Sequence, residues 1–108
     1  MATFTPKKLA FIQLAATKGD IYDSGTAIGE VHNIILHNTN TTTEVVVLNM
    51  HDGANEYETH KMSLIANETV QLSFSGEGWI VDASSKITGN TTTAAKVTCM
   101  VNGSERTT

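Results

Sequence analysis

Apolar and polar residues alternate most strictly across residues 69–75, where Val70, Leu72 and Phe74 fall between Thr69, Gln71, Ser73 and Ser75. A period of two puts the two sets on opposite faces of an extended chain, so this stretch predicts a strand with one core face and one wet face. The period returns across residues 94–102, where Ala95, Val97, Cys99 and Val101 point inward and Lys96, Thr98 and Asn102 outward. Residues 43–51 hold Val45, Val46, Val47, Leu48 and Met50, a β-branched cluster that favours strand over helix.

Other segments are apolar without strict alternation. Residues 27–38 carry Val31, Ile34, Ile35 and Leu36 on both faces, the pattern of a strand covered on two sides. Residues 9–16 are a short apolar run, Leu-Ala-Phe-Ile-Gln-Leu-Ala-Ala, read as a buried strand. Asp52-Gly53 predicts a hairpin turn before a return strand at 57–64, and Trp79 shares a face with Val81 in a further strand at 79–83. Brief strands are expected at 21–22 and 87–88. Turns are expected at 38–42, 89–93 and Asn102-Gly103. About eight short strands with turn signals between them predict an all-β, single-domain antiparallel β-sandwich or jelly-roll-like barrel. Its expected core includes Val46, Leu48, Val70, Leu72, Phe74, Trp79, Val97, Cys99 and Val101.

Composition agrees with this reading. The chain has 108 residues, enough for one domain, and 17 threonines beside 8 asparagines and 8 glycines supply both strand and turn formers. Charge divides unevenly. Lys7, Lys8 and Lys18 give residues 1–18 a charge of +3, while the rest carries −7 within a net −4. Residues 1–8, with the only proline, are read as an extended N-terminal arm, and residues 9–108 as the sandwich. Lys7, Lys8 and Lys18 are the candidate assembly contacts of the basic segment. The overall sign argues against a nucleic-acid partner. No apolar stretch reaches signal-peptide or membrane-spanning length, so neither secretion by a signal peptide nor a membrane partner is expected.

The order of segments resembles a group of small β-sandwich virion proteins of tailed bacteriophages. The resemblance rests on Val31-His-Asn-Ile-Ile-Leu-His-Asn-Thr39 leading to the alternating residues 44–50. It also rests on Ser63-Leu-Ile-Ala-Asn-Glu-Thr69 followed by Val-Gln-Leu-Ser-Phe, and on Gly78-Trp-Ile-Val-Asp-Ala83. Where that group often has Ala-Gly-Asp, this chain has Ala83-Ser84-Ser85-Lys86. The resemblance implies a virion component assembled in the host cytoplasm. Its implied role is a capsid decoration or cement protein, with a tail- or fibre-associated protein as the alternative. The implied partners are further copies of the chain, expected as a trimer, and a major capsid or tail protein.

Nothing in the chain predicts catalysis, a metal site or a cofactor, and the chain is read as no enzyme. His32 and His37 differ by five positions and face opposite sides of one strand. His51, Asp52, Glu56 and His60 surround one hairpin, where a plain turn explains them better than a metal site. Cys99 sits in an inward stripe, as a buried inert thiol, and as the only cysteine it forms no intrachain disulfide. Trp79, Tyr22 and Tyr57 make a sugar-stacking platform, and so a carbohydrate-binding module, the rival reading. A core position for Trp79 is the expectation set against it.

Overall fold

A computed structural model describes residues 4–76 and 78–106, with side chains from residue 8 onward. Among the described residues nine strands follow one another: β1 Phe4–Gln13, β2 Gly19–Asp23, β3 Ile28–Asn38, β4 Glu44–His51, β5 Glu56–Leu64, β6 Thr69–Ser73, β7 Trp79–Val81, β8 Lys86–Thr91 and β9 Val97–Arg106. They form two antiparallel sheets packed as a sandwich. Sheet A has the order β1-β9-β3-β6, with β7 also paired to β3, and sheet B has the order β2-β8-β4-β5. Because β9 pairs with β3 from Ile28 to Asn38 along one edge, β6 and β7 share the other, at His37–Asn33 and Val31–Gly29 of β3 respectively. No described helix is long and apolar enough to cross a membrane.

The core lies between the sheets. Val31, Ile34, Leu36, Val97, Cys99 and Val101 enter it from sheet A, and Val46, Leu48, Leu64 and Ile87 from sheet B, all at 0% exposure. Sealing apolar area of this kind from water is worth ~25 cal/mol per Å², the main favourable term for so small a domain. Tyr22 crosses from β2 to sheet A, where its hydroxyl donates to Glu105 Oε2 at 2.6 Å. Its ring lies against Gly29, where a β-carbon would come within 2.5 Å of the Tyr22 oxygen, so glycine is required there.

The structure departs from the sequence pattern in several strand and turn assignments. Residues 4–8 are no arm separate from the body: they are the first half of β1 and pair with β9 from Arg106 to Asn102. Only a bulge between Lys8 and Ala10 marks the expected boundary. The strand β3 is buried on one face, because a bulge between Val31 and Asn33 shifts its phase and turns Ile35 outward. Residues 94 and 95 form a turn, with Ala95 at φ 62°, so Ala95 is no inward strand residue.

The expected turn at 89–93 begins three residues later, after Thr91. Gly89 and Asn90 pair with Leu48 and Val47, and Gly89 is needed because a β-carbon there would meet the Val47 carbonyl at 2.5 Å. Finally, Asn102-Gly103 lies inside β9. The glycine lets β9 approach β3 so closely that a β-carbon would collide with the Glu30 carbonyl.

Candidate assembly surface

The outer face of sheet A carries three cross-strand rows whose composition follows from strand alternation. In the middle row Phe11 on β1 stands opposite Met100 on β9, which stands opposite Ile35 on β3, and Gln71 on β6 ends the row. Phe11 is 59% exposed. On one side lies the row Lys8, Asn102, Asn33 and Ser73, in which Asn102 Nδ2 donates to Asn33 Oδ1 at 2.8 Å. On the other lies Gln13, Thr98, His37 and Thr69, in which His37 Nδ1 and Thr69 Oγ1 are 2.7 Å apart. An apolar centre between polar rims is the anatomy of a protein interface. Lys8 Nζ sits 4.7 Å from the Phe11 ring centroid, a cation–π contact.

The two lateral sides of the sandwich differ. On the β5 side Phe74, Trp79 and His60 stand together with ring centroids 5.4 to 6.0 Å apart, and these partly buried rings close the gap between the sheets. On the β1 side Tyr22 reaches from β2 across to Gly29 and Glu105, but among the described residues no aromatic ring lines the depression beside Ile12. Ile12, 36% exposed, borders a depression shared with Leu14, Ile21 and Gly89, and its other flank borders a second depression with Phe11 and Thr98.

The residues singled out from the sequence fall as follows. Val46, Leu48, Val97, Cys99 and Val101 are fully buried, while Val70, Leu72, Phe74 and Trp79 are half-buried and pack on the core from the sheet margin. The side chain of Lys7 lies outside the described residues. Lys8 faces solvent beside Phe11, whereas Lys18 turns to the body and pairs with Glu56 at 3.0 Å. Lys8 and Lys18 therefore do not join in one basic contact. That bond from Lys18, opposed by burial and helped by Thr88, holds the Glu56 carboxyl below its ordinary range.

The aromatic platform is not assembled. Tyr22 is buried, Trp79 packs on Phe74 and His60, and Tyr57 is exposed apart from both. The hairpin groups are also occupied separately: His51 Nδ1 accepts from the Gly53 N–H, and Asp52 Oδ1 accepts from the Ala54 and Asn55 N–H groups. These last bonds, from Asn55 first, lower the Asp52 pKa, as in a self-capped turn. Among the described residues no three of His, Cys, Asp and Glu converge as a metal-binding group. Burial pushes the Cys99 thiol up to about 12.

Sequence reasoning missed Phe11 and Ile12 as surface residues, having placed them in a buried strand. The available signal was two neighbouring large apolar residues, which must face opposite sides of a strand, following directly on Lys7-Lys8. A lysine pair marks an edge strand, and an edge strand leaves one such residue uncovered.

No protein-family model and no curated protein matches the chain. Among solved structures, the chain is similar to a pentameric capsid protein isolated from metagenomic phage sequences, with 12% identity and a TM-score of 0.39 over 93% of this chain and 60% of that one. It is also similar to the CBM22-1–GH10 modules of the Clostridium thermocellum endo-1,4-β-D-xylanase 10B, complexed with xylohexaose. There the identity is 15% and the TM-score 0.41, over 99% of this chain and 24% of that one. The chain thus spans less than two thirds of either.

Proposed function

We propose that this protein is a non-enzymatic structural component of a repetitive assembly, a decoration protein on a tailed-phage capsid, and that the outer face of sheet A seats it on the larger capsid protein. The observation that carries the reading is the Phe11–Met100–Ile35 row. Those side chains stand on three adjacent strands, outside the core, between two polar rows. A monomer gains nothing in its own core from apolar residues there, and a partner surface that covers them removes them from water. The segment layout supports the choice of a virion as the assembly.

The test is made on virions encoding the chain. Quantitative mass spectrometry of purified particles is expected to find the protein in many copies per capsid, and Met100→Asp or Ile35→Asp to remove it from the particle while leaving a folded protein in solution. Absence of the wild-type chain from purified particles would overturn the reading.

A further inference from the structure

Every open sheet needs its edges protected, because unpaired backbone groups recruit other strands. Four of the five edges here carry a device. The strand β2 is five residues long, with Asp20, Asp23 and a bulge between Asp20 and Tyr22. The strand β5 has Glu56, Glu58 and Lys61, and a register shift opposite Leu48 and Asn49. Strands β6 and β7 are five and three residues long.

The ten-residue β1 differs. Its devices, Pro6, Lys7, Lys8 and the bulge between Lys8 and Ala10, all lie in the first half. The second half, residues 10–13, has none, and both of its flanks show apolar surface through Phe11 and Ile12.

The backbone of this half is oriented for pairing. The Leu14 N–H donates to the Val97 carbonyl at 2.9 Å, and the Leu14 carbonyl accepts from Ala95 at 3.0 Å, so Leu14 faces β9. Alternation then turns Ile12 toward β9 as well, and directs the N–H and C=O of Phe11 and Gln13 out of the free edge.

We infer that the second half of β1 is a self-docking edge: two copies of the chain pair antiparallel through residues 11–13 about a two-fold axis at Ile12, joining their A sheets. Phe11 of each copy exchanges both backbone bonds with Gln13 of the other, which satisfies every outward group of the free half. The two Ile12 residues form the close pair at the axis, with Cα atoms about 4.5 Å apart. Each covers the other's depression beside Leu14 and Ile21. The two Lys8 residues stand eight positions apart along the ladder, about 27 Å at ~3.4 Å per residue, far beyond the ~8 Å screening length, so like charge does not oppose the contact. A two-fold contact closes on two copies, and a trimer would need a separate, different contact.

This inference rests on the assembly reading only in taking the chain to act as several copies, and it is tested on the isolated protein. Ile12→Cys and Lys8→Cys variants are oxidised and run on a non-reducing gel. Buried Cys99, with its thiol pushed up to about 12, leaves a clean background. Ile12→Cys is expected to give a covalent dimer, since the paired Cα distance lies within disulfide range, and Lys8→Cys to remain monomeric. Equal linking of both variants, or no linking of Ile12→Cys, would overturn the edge pairing.

Gln13→Pro removes an outward N–H and no N–H that faces β9, and light scattering is expected to show self-association weakened roughly tenfold or more. Unchanged association would also overturn it. These failures leave the chain's presence in particles untouched, while absence from particles leaves the cross-link result standing, so the two claims fail separately.

Discussion

The two sides of this sandwich solve one problem in opposite ways. Where β5 meets β6 and β7, Trp79, Phe74 and His60 fill the gap between the sheets from within the chain. Where β1 meets β2, Ile12 is left uncovered and Phe11 stands in solvent on the adjoining face. The closed side belongs to the economy of folding. The open side leaves apolar area and backbone groups unused by folding, and that is what a binding edge requires. Half-buried residues therefore mean different things on the two sides: a completed seal on one, an incomplete one on the other.

Mutation should separate the sides. Leu48→Ala, in the fully buried centre between them, sets the scale and is expected to cost about 2–5 kcal/mol in denaturant unfolding. Trp79→Ala on the closed side should cost about 2–3 kcal/mol, less than the ~3–5 of a fully buried aromatic because the ring is only half covered. If instead it were neutral, the aromatic seal would not contribute to folding. Ile12→Ser on the open side should change monomer stability by less than about 1 kcal/mol, measured at a concentration low enough to keep the protein monomeric. A loss there as large as that of Trp79→Ala would erase the contrast between the sides.

A third region, belonging to neither side, is read by pH. Glu44 is 1% exposed, and its carboxylate accepts from the Thr93 N–H at 2.7 Å, Asn40 Nδ2 at 3.0 Å and Thr91 Oγ1 at 3.2 Å. Burial raises its pKa, but the bonds, from Thr93 first, outweigh that and hold it below the ordinary carboxylate range. A lowered folded pKa means that the stabilisation is complete above the unfolded value near ~4.3 and disappears as pH falls through the folded one. Thermal unfolding across that window should show an acid loss that Glu44→Gln flattens. The variant should be less stable at neutral pH by about 1–3 kcal/mol, because a neutral amide leaves buried donors poorly paired.

The fold class was legible because alternation is a local property. The pattern of Val70, Leu72 and Phe74 and that of Val97, Cys99 and Val101 each define a face without knowledge of the partner strands. What was not legible depended on the neighbours. Gly103 and Gly89 look like turn residues in the sequence and are strand residues in the structure, because a close approach of another backbone, not a chain reversal, excludes their side chains. The phase of β3 turned on a bulge at His32, which no hydrophobic pattern marks. Phe11 and Ile12 were apolar enough to be read as part of a buried strand, and only the edge position of β1, a fact of topology, put them at the surface.

The contrast between a sealed side and an unsatisfied one rests most directly on the outward amides of β1. Hydrogen exchange at Phe11 and Gln13, followed by NMR as protein concentration rises, should slow in step with self-association while the β5 edge amides keep exchanging fast. Fast exchange at Phe11 and Gln13 in a sample that light scattering shows to be oligomeric would contradict the account.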